Sequence, residues 1–328
     1  MQSSIESLAS DKLLLALQGK NKGRPPIWLM RQAGRYQPSY QKLRAEYSIE
    51  TMFHTPELIA QVTMLPVREL NVDAAILFSD ILIPLEMLGY EVTFPVGGPR
   101  VLPESSIPPC RKGVEAVHFV EIAIRMLRRD LSIPLIGFCG GPFTVASYIF
   151  QEKVKGLKKL YLKEPHRVHA LLESITQVSI EYLQMQEAAG AQVIQLFDSW
   201  AGTLPRKLVE ELSIPYLQRL VSAVKVPVIV FSRGAGSHPF EKTGAHCISL
   251  DWTTPLHEMR EKHPGLTLQG NLDPEVLHGS HEKIAEEVSH ILASMKNDPA
   301  FIFNLGHGLT PDIPYENVQF LCHHFRQM

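Results

Sequence analysis

Eight short apolar runs recur along this chain, each bounded by Gly, Pro or Asp and separated by segments of helical periodicity. They cover 27–32, 74–80, 134–140, 191–199, 226–234, 246–252, 266–273 and 301–307. Most are continuously apolar, as parallel strands covered on both faces should be. The clearest helical segment, 165–189, is stopped by Gly190, where a left-handed C-cap is wanted. Segments 207–225 and 274–296 repeat the pattern, and 56–70 does so more weakly because Pro66 interrupts it. Strand–helix alternation repeated eight times predicts an α/β fold, a single (β/α)8 TIM barrel, which needs about 250 residues. The 328 residues are expected to form one domain, with 1–26 as an N-terminal helical extension. The connection 234–245 is short, so its helix is limited to one or two turns. Segment 81–113 is long, and 93–102 reads as a hairpin inserted after the second strand.

Polar residues gather at the C-terminal ends of these runs: Arg31, Asp80, Gly140-Gly141, Asp198-Ser199, Arg233, Asp251, Asn271–Asp273 and His307. Barrel enzymes build their sites on that face, one or two residues per strand, and a purely structural barrel has no need of charge at nearly every strand exit. The first exit is the most informative. Arg31 and Arg35 lie four apart around Gln32, Ala33 and Gly34, two permanently charged forks on small residues, suited to an anion with several acidic groups.

The bulk numbers narrow the partners. Thirty-two Lys and Arg against 34 Asp and Glu give a net charge of −2, which argues against nucleic acid. A polyanionic ligand must then be met by a local basic cluster. The four cysteines, Cys110, Cys139, Cys247 and Cys322, are scattered and show no CxxC spacing, as suits a reducing cytosol. No apolar run approaches the roughly 20 residues of a membrane span, and the N-terminus lacks a basic opening. The expected location is the cytoplasm.

Other motifs carry chemistry of varying sharpness. Asp80 sits among apolar neighbours in Phe78-Ser79-Asp80-Ile81-Leu82. It could cap a helix, but a partly desolvated carboxylate also suits several N–H donors or a cation formed during reaction. The stretch 137–144 has neither GxGxxG spacing nor a Walker lysine, and reads as a tight turn admitting a flat ligand to the backbone. Cys139 has no neighbour to make it a nucleophile. Tyr148 stands one helical turn beyond Thr144. Ser199, in Phe197-Asp198-Ser199-Trp200, is not a GxSxG nucleophile and fits better as a neutral donor. His307 lies between Gly306 and Gly308 at the last exit and can pair with a carboxylate when charged or donate from the neutral ring. No HxxxH or HxH occurs, and His246-Cys247 points to opposite strand faces, so no metal is expected.

The string Pro26–Tyr36 resembles the PxWxMRQAGRY signature of the uroporphyrinogen decarboxylase family. Six further blocks resemble that family in order: 78–82, 137–144, 197–202, 249–253, 269–274 and 303–308. Arg233 departs from it, standing where a lysine is expected. The resemblance implies a homodimeric enzyme with no metal or organic cofactor. It would remove the four acetate carboxyls of uroporphyrinogen III as CO2 to give coproporphyrinogen III. It also implies that Arg31 and Arg35 bind propionate or acetate groups, with Gln32, Ala33 and Gly34 lining the same turn and Arg44 adding an anion contact. Asp80 would accept pyrrole N–H bonds and stabilise a cationic intermediate, while Tyr148, Ser199 and His307 would contact carboxylates. The proton donor is Arg31, a water or an arginine-held substrate carboxyl. Two rivals are a zinc methyltransferase of the same superfamily, whose HxC motif is missing, and a non-catalytic tetrapyrrole carrier.

Overall fold

The computed structural model describes residues 11–328. Seven parallel strands form one curled sheet in the order β1 (Ala75–Ile76), β4 (Leu135–Gly140), β5 (Val193–Phe197), β6 (Val228–Phe231), β7 (Cys247–Ser249), β8 (Thr267–Leu272) and β9 (Phe301–Leu305). The strand expected at 27–32 is reduced to a single parallel bridge, Ile27 to Phe303. Hydrogen bonds on both sides still seat it between the sheet edges: Phe303 N donates to Pro26 O at 2.9 Å and Asp73 N to Ile27 O at 2.8 Å. Asp73 also accepts from Ile27 N and pairs with Arg24, both at 2.8 Å, which pins this segment at its start. The segment stops being a strand early because the chain turns there, with Gln32 N donating to Leu29 O at 2.9 Å.

Side chains alternate along each strand, so one set points inward. Trp28, Ala74, Ile136, Val193, Ile229, Cys247 and Ile302 form a buried layer plugged from below by Leu13, Ala16 and Leu17 of the helix Lys12–Leu17. That helix lies within the expected extension; residues 1–10 of the extension lie outside the described residues. Further along, polar side chains enter and pair with one another: Gln269 accepts from Trp28 Nε1 and donates to Ser249 Oγ, each at 2.9 Å. On neighbouring strands, with Phe231 in register with Ser249, Phe138 and Phe231 each meet Phe197 edge to face, at centroid separations of 5.7 and 6.2 Å. Phe138 and Phe197 floor the open end.

The helices follow their sequence signals with instructive exceptions. Pro165–Ala189 buries Val168, Leu171, Leu172, Ile175, Val178 and Leu183 and ends at Gly190 with φ 119°. Pro56–Leu70 runs unbroken through Pro66, which is buried and forfeits one backbone bond. Segment 207–225 is split into Arg206–Leu212 and Ile214–Ser222 at Ser213, and 274–296 into a 3₁₀ turn, Pro274–His278, and His281–Ser294 around Gly279. The short connection holds two 3₁₀ turns, Ala235–Ser237 and Phe240–Thr243. The inserted hairpin is present as β2 (Glu91–Thr93) against β3 (Arg100–Leu102).

Candidate active site

A cavity of about 420 Å³ opens above the phenylalanine layer, at the C-terminal strand ends. That volume is ordinary for a small-molecule site. Arg31, Gln32, Ala33, Gly34, Arg35, Asp80, Tyr148, Ser199 and His307 all line it, together with Phe78, Phe138 and Phe197. Nine of the ten residues singled out in the sequence therefore converge. Arg44 does not reach the cavity; it lies near the end of the helix Pro38–Glu46, and its guanidinium donates to Tyr47 O.

Arg31 occupies the left-handed region at φ 61°, a conformation unfavourable for a residue with a Cβ. The surroundings enforce it. Asn304 Oδ1 accepts from Met30 N at 2.8 Å, and Gln32 Oε1 accepts from Leu29 N at 3.1 Å while its Nε2 donates to Ala74 O at 3.1 Å. Gln32 thus borders the cavity with its amide already committed to the backbone. Gly308 makes room for the arginine, since a Cβ there would stand 2.5 Å from Arg31 Cδ. Among the described residues neither Arg31 nor Arg35 ends in an ion pair with a carboxylate, which leaves both guanidinium groups free to receive one.

Asp80 is half-buried, and Leu82 N donates to its Oδ1 at 2.8 Å. Desolvation pushes its pKa up to about 6; the Leu82 bond opposes that, the charge of Glu86 adds to it and Arg31 opposes it. The carboxylate is therefore ionised at neutral pH yet poorly solvated. His307 moves the other way: burial, then the charges of Arg233 and Arg31, push it down to about 4. It stays neutral, with Phe231 edge to face against it at 6.0 Å and Arg233 Nη2 3.1 Å from its Nε2. Tyr148 closes the helix Pro142–Tyr148, and Lys153 Nζ sits 5.4 Å over its ring.

Several strand-exit residues that looked chemical in the sequence are structural clamps. Asp198 is fully buried, accepting from Thr144 N at 2.9 Å and from Ser213 Oγ, and so fixes the start of the helix that carries Tyr148. Asp251 accepts from Gly234 N at 2.6 Å, and Asn271 Nδ2 donates to Asp251 O at 2.9 Å. Asp273 caps the turn Pro274–His278 through Glu275 N at 3.0 Å. Cys139 is buried and its thiol is pushed up to about 12, so it stays protonated. The aromatic floor escaped sequence reading because a phenylalanine in an apolar strand is core by default; only its position two residues before a polar exit distinguishes it.

The family model described as Uroporphyrinogen decarboxylase (URO-D) matches residues 8–328. A uroporphyrinogen decarboxylase of Protochlamydia amoebophila (strain UWE25) is 43% identical over 98% of this chain and 93% of its own length. One from Anaeromyxobacter sp. (strain Fw109-5) is 43% identical over 90% of this chain and 92% of its own. Among solved structures, a methyltransferase from Methanosarcina mazei superposes with a TM-score of 0.80 at 22% identity, covering 97% of this chain and 98% of that one. A B12-independent methionine synthase from Shewanella sp. W3-18-1 gives 0.60 at 14% identity over 92% and 93%. At such identities the structural likeness speaks for the barrel, not for methyl transfer.

Proposed function

The chain belongs to the uroporphyrinogen decarboxylase family and acts as a carboxy-lyase on uroporphyrinogen; we propose that it takes the four acetate carboxyls of uroporphyrinogen III to give coproporphyrinogen III, with Asp80 and Arg31 at the chemical centre. The observation that carries this reading is Asp80: a desolvated carboxylate, one oxygen held by Leu82 N, lining a cavity beside two guanidinium groups that have no carboxylate partner among the described residues. Four pyrrole N–H groups on one ring face can converge on such an acceptor.

Loss of CO2 from an acetate arm needs an electron sink. A proton added to the adjacent pyrrole carbon makes an iminium-like cation, the C–C bond to the carboxylate breaks, and its electron pair returns to the ring. A second proton on the new methylene carbon completes a methyl group. The proton first added leaves the ring carbon to restore the aromatic pyrrole, so each acetate takes up one proton net. Asp80 stabilises the cation, and preorganised charge in a water-poor site is usually the largest catalytic contribution. Arg31 and Arg35 orient the carboxylates. A guanidinium is too weak an acid to give its proton away readily, so Arg31 acts by holding the proton-bearing water or substrate carboxyl. Gln32, Ala33 and Gly34 shape the turn, Tyr148, Ser199 and His307 receive carboxylates at the wall, and Arg44 meets the polyanion outside the cavity.

The reading extends to a single-domain, cytoplasmic homodimer using no metal or organic cofactor. Val96, Leu102 and Ile107, exposed apolar residues of the hairpin region whose neighbour Pro99 lines the cavity, support a partner surface beside the mouth. Among the described residues no helix is long and apolar enough to cross a membrane. The deciding experiment is anaerobic incubation of metal-stripped protein with chemically reduced uroporphyrinogen III, counting carboxyls on the oxidised products by chromatography. Seven- to four-carboxyl porphyrins support the reaction; tight binding without carboxyl loss would replace it with a carrier.

A further inference from the structure

Arg233, at the exit of β6, takes no part in the reaction as drawn above. Its guanidinium lies 5.2 Å over the Trp200 ring and its Nη2 is 3.1 Å from His307 Nε2. A guanidinium offers only donors. Nε2 of His307 must therefore be the acceptor, which leaves the imidazole neutral with its proton on Nδ1. The pairing is built, not incidental. Gly202 lets the Arg233 backbone pass so close that a Cβ there would stand 1.6 Å from Arg233 O, and Asp251 holds Gly234 N at 2.6 Å. The charged groups facing the ring are Arg233 from the β6 exit, Arg31 from the turn after the first strand, and Asp251 from the β7 exit. Asp251 already accepts from Gly234 N and from Thr253, so two cations outweigh one engaged carboxylate.

We propose that Arg233 is a positioning residue: stacked on Trp200 and donating to Nε2, it fixes His307 as the neutral Nδ1–H tautomer, so that the ring meets a substrate carboxylate as a directed donor and not as a mobile charge. This deepens the role given to His307 under the proposed function and rests on it. The residue type matters. A lysine could supply one donor, but it has no plane to lie on Trp200 and so cannot set the direction of that donor.

The test is nitrogen NMR on the full chain labelled with 15N in its 14 histidines, with the His307 signals assigned by their loss in His307→Asn. The expected spectrum has pyrrole-type Nδ1 and pyridine-type Nε2, unchanged between about pH 5 and 8. In Arg233→Met, which keeps an apolar stem but no donor, both tautomers should appear and the ring should titrate towards its ordinary range. KM for uroporphyrinogen should rise about tenfold with a smaller change in kcat. Nε2–H in the parent protein, or signals unmoved in Arg233→Met, would overturn the proposal. Should that variant not fold, the parent spectrum and that of Arg233→Lys, expected to show mixed tautomers, decide. The spectra need no substrate, so a protein with the expected imidazole but no decarboxylation would defeat the proposed reaction while leaving the tautomer assignment standing.

Discussion

Replacing Asp80 by Asn separates what the carboxylate does for turnover from what it does to stability, and the two should move in opposite directions. Burial lifts its pKa from 3.8 to about 6, so the cavity disfavours the unpaired anion by roughly 3 kcal/mol. A ring cation formed beside it relieves that penalty: a unit charge pair at about 4 Å and an effective dielectric near 20 is worth about 4 kcal/mol. Asparagine keeps the Oδ1 that accepts from Leu82 N but loses the charge, so kcat should fall about 10²- to 10³-fold with substrate still bound. For stability the sign runs the other way. Between pH 3.8 and about 6 the folded state holds a proton on Asp80 that the unfolded state has released. Stability is therefore lost as pH rises through that window, and above it the folded state carries the full penalty. Asp80→Asn should thus melt a few degrees higher than the parent at pH 7.5, and no higher at pH 4. The assays are anaerobic product counting, binding of the substrate by quenched fluorescence, and thermal unfolding at both pH values. Turnover within about tenfold of the parent would refute the electrostatic role, and an unchanged melting point at pH 7.5 would refute the desolvation argument.

The same titration predicts a pH profile: kcat/KM of the parent should fall below about pH 6 as Asp80 takes up a proton, checked by initial rates across pH with one buffer ionic strength. Gly308→Ala places a Cβ 2.5 Å from Arg31 Cδ and should swing that arginine aside, raising KM about tenfold or more with little change in unfolding midpoint; an unchanged KM would mean Arg31 does not hold substrate from its present rotamer. Asp198→Ala strands Thr144 N and Ser213 Oγ inside the protein and should cost about 2–4 kcal/mol in denaturant unfolding. Full stability with lost activity would show instead that Asp198 acts chemically.

Strand exits proved readable and their roles did not, for a reason that lies in barrel geometry. Arg31, Asp80, Ser199 and His307 share the cavity because successive parallel strands deliver their ends to one rim, which the spacing of apolar runs already implies. Asp198, Asp251 and Asn271 occupy the same kind of position with the same kind of side chain. They differ only in pointing between neighbouring loops, and one residue of rotation on a strand decides that. The helix breaks at Ser213 and Gly279 were hidden likewise: each flanking segment is amphipathic, and the Ser213 break is tied to the hydroxyl that closes onto Asp198, a contact fifteen residues away in sequence.

The clamps and the cavity residues nevertheless belong to one physical arrangement. A desolvated carboxylate, a left-handed arginine and a histidine buried between two cations are each unfavourable locally, and none persists unless its surroundings over-determine it. Asn304 and Gln32 do this for the Arg31 turn, Leu82 N for Asp80, and Arg233 with Phe231 for His307. The satisfied Trp28–Gln269–Ser249 layer below lets the rim carry these strained groups without loosening the barrel. If that layer is what supplies the rigidity, Gln269→Leu should do more than lower stability. It should strand Trp28 Nε1 and Ser249 Oγ, let the phenylalanines beside them shift, and reduce kcat even though Gln269 touches no substrate. A Gln269→Leu enzyme that melts lower but turns over at the parent rate at 25 °C would show that the site is held from the rim alone.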